Sequence, residues 1–502
     1  MKNVLEYLET TAEKFPDKCG FADSDRQISF QSIMNSAKRI ACSLKGIDRN
    51  SPVAVMTDRN IKCIEAMLAS IYAGCFYTVI DVNSPSERIS SILESLSPEA
   101  VITDKEFLSL AQDTFKGETV VLYEEASLND IDDNFINQVR SSMIDTDPLY
   151  VLFTSGSSGV PKGAVLSHRS VISYIEWVSE EFSFDSDTVF GSQTPLYFSM
   201  SVTDFFSTLK CGGTYVIIPK MLFSFPVKLI EYLNSNMVNT IYWVPSALST
   251  AFNWDAFEYV MPEHLEKVLF AGEVMPVKHL NYWRRFLPGC IYANLFGPTE
   301  TTDICTFYRV DRDFKDDESL PIGKACDNCD VFLLTETGRK AQIGEEGELV
   351  VRGSFLADGY YNDPEKTAAA FPQNPLNNSY PERVYKTGDL AKLNEKGEYI
   401  YISRKDFQVK RMGYRIELGE IEAAASSLDQ VKSSAALYDA SGDRLILVYE
   451  GKIKDPEVLL KQLKSKLPSY MQPDDAVRIT NMPYNANGKL DRKYLHELYA
   501  EN

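Results

Sequence analysis

The chain has 502 residues, with 51 Lys and Arg against 71 Asp and Glu, a net charge of −20. That length exceeds a single hydrophobic core and predicts about two to four lobes of ordinary domain size. At 44% hydrophobic and 24% charged residues, the balance is that of a globular enzyme and excludes a disordered or fibrous chain. The acidic surplus repels phosphate backbones and anionic lipid, which argues against nucleic-acid binding and membrane-surface roles but leaves room for one phosphate ligand in a local pocket. Glu6, Glu9 and Glu13 interrupt any secretion signal in the first sixteen residues. No run approaches the roughly 20 apolar residues of a membrane span, so no membrane insertion is expected. Nine cysteines, odd in number and irregularly spaced, read as reduced thiols in a cytoplasm. Cys326 and Cys329 form a single CxxC with no second pair nearby, and four histidines leave little for a zinc site.

In chain order, Val53–Met56 reads as a strand, Lys62–Ala73 as a helix, Tyr77–Ile80 as a strand and Ser86–Leu96 as a helix. Strands follow at Ala100–Thr103, Thr119–Tyr123, Leu149–Phe153, Thr214–Ile218, Thr240–Val244, Lys267–Phe270 and Ile291–Asn294. Strands alternating with amphipathic segments predict parallel sheets covered by helices, an α/β fold. Beyond Phe296 come an acidic loop at Asp311–Ser319, strands at Val331–Leu334 and Glu348–Arg352, and an exposed Pro- and Asn-rich loop at Pro372–Glu382. Tyr399–Arg404 then leads into a charged stretch. The main boundary is expected at Arg404–Asp406, between residues 1–404 and 405–502. The last piece has its own strands at Ala435–Tyr438 and Leu445–Tyr449 and a helix near Pro456–Leu467.

The most informative stretch is Thr154-Ser155-Gly156-Ser157-Ser158-Gly159-Val160-Pro161-Lys162-Gly163, expected between a strand ending at Phe153 and a helix starting at His168. Glycines and small hydroxyl residues let backbone N–H groups approach an anion closely, and Lys162 adds a point charge. The spacing differs from the GxxxxGK[ST] loop, since Val160 and Pro161 separate the last Gly from the Lys.

This run resembles the signature of the adenylate-forming superfamily, which includes adenylation domains of nonribosomal peptide synthetases, acyl-CoA synthetases and luciferases. Further motifs occur in the family's order. Asn294-Leu295-Phe296-Gly297-Pro298-Thr299-Glu300 resembles its adenine and magnesium motif, and Tyr385-Lys386-Thr387-Gly388-Asp389-Leu390 its ribose motif. Arg404–Lys410 with Gly413–Glu422 resembles its hinge, and Asn487-Gly488-Lys489-Leu490-Asp491-Arg492 its catalytic-lysine motif. The resemblance implies a large N-terminal domain of helix-covered sheets and a small α+β C-terminal domain joined by a hinge at Asp406. It implies ATP and Mg²⁺ as cofactors, with Glu300 on the metal and Thr299 and Thr154–Gly159 around the phosphates. Phe296 would stack on adenine beside Gly297, Asn294 would meet the adenine edge, and Asp389 would accept from the ribose hydroxyls. Arg404 would assist at the ribose or phosphate, and Lys489 would bridge the substrate carboxylate and the α-phosphate. Rotation of the small domain would then exchange Lys489 for the Gly413 region.

Gly413–Glu417, Asn487–Arg492 and Ala271-Gly272-Glu273-Val274-Met275-Pro276 resemble the amino-acid branch, and within it the D-alanine–carrier-protein ligases. No Gly-Gly-x-Ser site occurs, so the thiol is expected from a separate phosphopantetheinylated carrier protein, with coenzyme A as the alternative. A monomer is expected. One departure concerns the substrate. Where this branch has Phe-Asp-x-Ser, with the Asp on the α-ammonium, the chain has Phe198-Ser199-Met200-Ser201. Loss of that counter-charge is worth ~2–5 kcal/mol if nothing compensates. Either the substrate lacks an α-ammonium, or Asp303 or another acid takes over. The motif alignment lines the pocket with Ser199, Met200, Thr203, Trp243, Leu269, Ala271, Leu295, Asp303 and Ile304, next to Phe198. Asp303 is the only acid among them, its plainer role being a cap after the Gly-Pro-Thr-Glu turn. The readings carried forward are an ATP-dependent ligase loading a small acid such as D-alanine onto a carrier, a coenzyme A ligase for an amine-free acid, and a non-catalytic ATP-binding relative.

Overall fold

The computed structural model describes residues 1–155, 161–405, 408–483 and 490–500. Its chain divides into two compact units. The first comprises 1–80, 96–152 and 163–405, and the second 81–95, 153–162 and 406–502.

Two large sheets order the first unit. One has seven strands in the order Gly359–Tyr360, Lys162–Ser167, Pro148–Thr154, Phe76–Val79, Pro52–Met56, Ala100–Thr103 and Thr119–Leu122. The other has nine, in the order Lys324–Ala325, Thr306–Arg309, Ile291–Phe296, Lys267–Phe270, Thr240–Trp243, Val189–Ser192, Thr214–Ile217, Cys19–Ala22 and Gln27–Ser29. Their central pairs are parallel, and the strands run as fully buried Val, Ile, Leu and Phe. That is the pattern of sheets covered on both faces. Helices connect them as the alternation predicts, and side chains close their exposed first N–H groups. Asn60 accepts from Cys63 N–H ahead of Ile61–Tyr72, and Ser167 accepts from Ser170 N–H ahead of His168–Glu181. A four-stranded antiparallel sheet, Cys329–Leu334, Glu346–Gly353, Tyr385–Leu393 and Tyr399–Arg404, completes this unit.

The α/β expectation holds, and in this first unit the strands read from the sequence have boundaries within one or two residues of those observed. One local expectation does not. The Ser/Gly stretch does not lead directly into the helix at His168, because Lys162–Ser167 intervenes as a strand. Its Ala-Val-Leu run is apolar enough to join the sheet.

In the second unit, Val431–Asp439, Arg444–Gly451 and Asp475–Ile479 form a three-stranded sheet. Its alternating side chains feed two separate cores. Leu445, Leu447 and Tyr449 pack with Leu418, Ile421, Leu459 and Leu463, whereas Ile446 and Val448 pack with Leu437 and Leu495. Among the described residues no helix is long and apolar enough to cross a membrane.

The helix Ile61–Tyr72 is buried on nearly every side, and Leu68 has no exposed surface. Leu68→Ala is therefore expected to lower stability by about 2–5 kcal/mol, read as a fall in the urea midpoint.

Candidate active site

Strand Ile291–Phe296 delivers its C-terminal end into Gly297-Pro298-Thr299-Glu300. A β-carbon on Gly297 would lie 2.3 Å from the Asp303 carbonyl oxygen and 2.5 Å from Ile304 Cα, so only glycine lets the chain fold back this closely. The return runs through a short 3₁₀ turn, Thr299–Thr301, and then Thr302 at φ 67°, ψ −61°. Asp303 N–H donates to Thr301 O at 2.8 Å, closing a γ-turn of the strained, positive-φ kind. A β-branched residue there is held against about 1–3 kcal/mol of strain. The buried Thr302 hydroxyl, donating to Phe355 O at 2.7 Å, helps to hold it.

That turn places Asp303 among hydroxyl groups from separate elements. Its Oδ2 accepts from Thr203 Oγ1 at 2.8 Å, on helix Ser201–Cys211, and from Tyr174 on helix His168–Glu181 and Tyr242 on strand Thr240–Trp243, both at 3.1 Å. The Ser199 hydroxyl faces the same carboxyl group. The Tyr174 and Thr203 hydroxyl oxygens also lie 2.6 Å apart, and since each carries one proton, a proton given to that contact is withheld from Asp303. Asp303 is 1% exposed, and burial pushes its pKa up to about 6 against the opposing pull of these hydroxyls. Its side chain bonds hydroxyls, not backbone N–H groups, so it is no turn cap. Asp204, the neighbour of Thr203, is equally buried, and neither carboxyl oxygen has a hydrogen-bond partner among the described residues. Burial, reinforced by the charge of Asp303, raises its pKa well above the ordinary carboxylate value.

Sheet register sorts the remaining pocket candidates. Tyr242 pairs with Leu269, and Leu269 with Ala293, so Leu269 and Leu295 share the face of Tyr242. Trp243 does not join that group. It pairs with Phe270 on the opposite face, donates its indole N–H to Gly191 O at 2.7 Å and packs edge-on against Phe223. Met200, Ala271 and Ile304 are buried, while Phe198 and Ser199 are partly exposed.

The adenine-motif and ribose-motif residues are linked within the first unit. Asn294 Nδ2 donates to Pro321 O at 2.8 Å, and the Phe296 ring lies 5.9 Å from that of Tyr401. Tyr401 and Arg404 share strand Tyr399–Arg404, whose partner strand bulges near Gly388, at φ 76°. Asp389 and Arg404 face each other across the ladder and form a buried ion pair at 2.9 Å. Glu300 is fully buried, and Tyr360 donates its hydroxyl to Glu300 Oε1 at 2.6 Å. Thr299 Oγ1 donates to Ser199 Oγ at 3.4 Å.

In the second unit, Thr154 Oγ1 donates to Lys162 O at 3.5 Å. Ser155 Oγ donates to Arg415 O at 2.7 Å and accepts from Glu417 N–H at 3.2 Å. Gly413 follows Met412 in the tight turn between Gln408–Arg411 and Tyr414–Glu417, both at positive φ. Gly156, Ser157, Ser158, Gly159, Asp406 and Lys489 lie outside the described residues. No group of three or more His, Cys, Asp or Glu able to hold a metal occurs among the described residues.

The sequence reading did not single out Tyr174, Tyr242, Asp204 or Tyr360. Each reads locally as core, and only their convergence gives them a role. Because Asp303 titrates near 6 in the fold against about 3.8 when unfolded, the folded state binds more protons between these values. Stability therefore falls as pH rises through that window. Asp303→Asn is expected to be more stable than the parent by up to about 3 kcal/mol above pH 6, with the gain vanishing near pH 4, in denaturation titrations across pH.

A family model described as AMP-binding enzyme matches residues 8–361. An L-proline–[L-prolyl-carrier protein] ligase from Streptomyces coelicolor is 34% identical over 98% of this chain and 96% of its own length. A D-alanine–D-alanyl carrier protein ligase from Bacillus cytotoxicus is 30% identical over 98% of each chain. The crystal structure of IdnL1 superposes with a TM-score of 0.82 at 25% identity, covering 96% of this chain and 99% of the other. The chain also matches longer synthases, of whose length it spans less than half. With the ordered motifs and the fold in agreement, the chain belongs to the AMP-binding enzyme family and is an adenylate-forming ligase.

Proposed function

We propose that this ligase activates a small carboxylic acid with ATP and passes the acyl group to the phosphopantetheine thiol of a separate carrier protein. The observation that carries the reading is the buried Asp389–Arg404 pair, tied through Tyr401 to Phe296 in the first unit. It unites the adenine-motif and ribose-motif segments. The similarity of both carrier-protein ligases over nearly their whole length supports the carrier as acceptor.

In the first half-reaction a carboxylate oxygen of the acid bonds to the α-phosphorus of ATP, and the bond to the departing pyrophosphate breaks. The acid is already ionised at neutral pH, so no general base is required. The step requires positioning and neutralisation of gathering negative charge. In our reading, Asp389 orients the ribose hydroxyls while Arg404 fixes the carboxylate. Phe296, Gly297 and Asn294 hold the base. By their motifs, Thr299, Thr154, Ser155, Lys162 and residues 156–159 are assigned to the phosphates. Lys489, carried by the 405–502 piece, contributes positive charge between the acid and the α-phosphate. Glu300 offers one carboxylate, which suits Mg²⁺, an ion that takes most of its ligands from substrate phosphates and water; the bound metal would neutralise phosphate charge. In the second half-reaction the thiolate attacks the acyl carbon and AMP leaves. The hydrogen bonds of Ser155 to Arg415 and Glu417 support a part for the Gly413 segment beside the phosphate loop, with Asp406 as hinge.

The pocket candidates Ser199, Met200, Thr203, Leu269, Ala271, Leu295, Asp303 and Ile304 are small or aliphatic apart from the acid, which suits a small substrate such as an alanine. A coenzyme A ligase is the second reading, favoured by the absence of a carboxylate at Ser199.

Lys489→Ala is expected to lower ATP–pyrophosphate exchange by about 100-fold or more while leaving equilibrium ATP binding within a few-fold. Exchange at the parental rate would remove Lys489 from the mechanism. Acyl transfer to a phosphopantetheinylated carrier, with coenzyme A in parallel, separates the two acceptors.

A further inference from the structure

We propose that Asp303, acting through the Ser199 hydroxyl, is the specificity-determining residue that makes this enzyme select acids carrying a primary amine. The inference deepens the ligase reading and rests on it.

Asp303 is held only by neutral donors, from Thr203, Tyr174 and Tyr242 with Ser199 beside them. Among the described residues no Lys, Arg or His forms an ion pair with it, although Asp389, equally buried, has Arg404. Buried charges in proteins are ordinarily paired, and this one has its hydrogen bonds without its counter-ion. The arrangement draws on two helices, one strand and a strained turn at Thr302, so it is not the by-product of one local segment. Neither carboxyl oxygen of Asp204 is hydrogen-bonded among the described residues, and burial with the charge of Asp303 favours its neutral form. The pocket thus lacks one positive charge.

Access to the carboxylate is narrow. Thr203, Tyr174 and Tyr242 have no exposed surface, whereas Ser199 is partly exposed. A hydroxyl gives one proton and keeps two lone pairs. With its proton turned to Asp303, whose pKa it lowers, Ser199 would present lone pairs outward to an N–H donor. Thr299, in the Gly-Pro-Thr-Glu turn, donates to Ser199 Oγ at 3.4 Å. The cation would therefore sit within a bond or two of the carboxylate that reacts beside that turn. The ligand class is a short acid with an ammonium group on its α- or β-carbon. An amine-free acid leaves the buried charge uncompensated, and a hydroxy acid supplies a hydrogen bond but no charge.

The experiment is ATP–pyrophosphate exchange by the full chain with acids of increasing size, each assayed as its α-amino, β-amino, hydroxy and unsubstituted form. At least one amino acid is expected to exceed its amine-free counterparts by about tenfold or more in kcat/KM. Asp303→Asn should reduce that ratio towards one, mainly by raising KM for the amino acid. Ser199→Ala should do the same with Asp303 intact, which separates loss of the relay from loss of the fold, and circular dichroism checks both variants. Equal or better use of amine-free acids by the parent overturns the proposal, as does an undiminished preference in Asp303→Asn. A folded parent that exchanges with no acid overturns the ligase reading beneath it instead.

Discussion

A carboxylate surrounded by hydroxyl groups and shut away from water is the constraint on which the pocket depends. Asp303 reaches its place because Gly297 lets two segments approach to contact and because Thr302 accepts a strained γ-turn. Oδ2 then collects hydrogen bonds from Thr203, Tyr174 and Tyr242. Asp303, Thr203, Tyr174 and Tyr242 are all buried, so none of these four can relax towards solvent if the charge changes. Burial raises the affinity of Asp303 for a proton, and the hydroxyls partly restore the charged form. The result is an acid left near the middle of its titration range by two opposing effects.

The contrast with Asp389 is instructive. Both are buried aspartates of the first unit. Asp389 lies opposite Arg404 in an antiparallel ladder, where a guanidinium neutralises it and its geometry is set by the bulge at Gly388. It is suited to orienting neutral hydroxyls, because its charge is already balanced. Glu300 occupies a third condition, fully buried and hydrogen-bonded by Tyr360. Three carboxylates within one unit therefore offer different electrostatic environments.

Much of this was legible in residue order. The Val- and Ile-rich runs mark the parallel strands because sheets buried on both faces need continuous apolar segments. The resemblance of the ordered motifs to the adenylate-forming family implies roles for Asp389, Arg404, Thr299 and Glu300. Phe198-Ser199 already signals that the usual acid is missing. What could not be read is convergence. Tyr174 and Asp303 are brought together by packing of a helix against a turn 129 residues later, and no local pattern distinguishes that tyrosine from a core tyrosine. Tyr242 and Trp243 show how register matters. Strand side chains alternate faces, so one residue of register exchanges which of two adjacent aromatics meets the acid. The strand Lys162–Ser167 was missed because the Ser/Gly loop before it dominates the local composition, whereas its own Ala-Val-Leu core is short.

The two buried aspartates, Asp303 and Asp204, differ in what opposes their desolvation. Among the described residues Asp204 has no hydrogen-bond donor, so nothing there opposes the desolvation that favours its neutral form. Asp303 has donors and retains charge at neutral pH. Were both ionised, repulsion at short range in a poorly polarisable interior would add to two desolvation penalties. Were both protonated, the hydroxyl groups around Asp303 would lack an anion to converge on. A cation entering beside Ser199 would favour the ionised form of Asp303 further, by removing the imbalance that burial creates. Binding and proton release are then thermodynamically linked. Below about pH 6 a cationic ligand must displace a proton from Asp303 before it gains the full attraction, whereas an uncharged ligand has no such requirement. Selection for charge thus follows from where the hydroxyls sit, without any side-chain carboxylate touching the ligand.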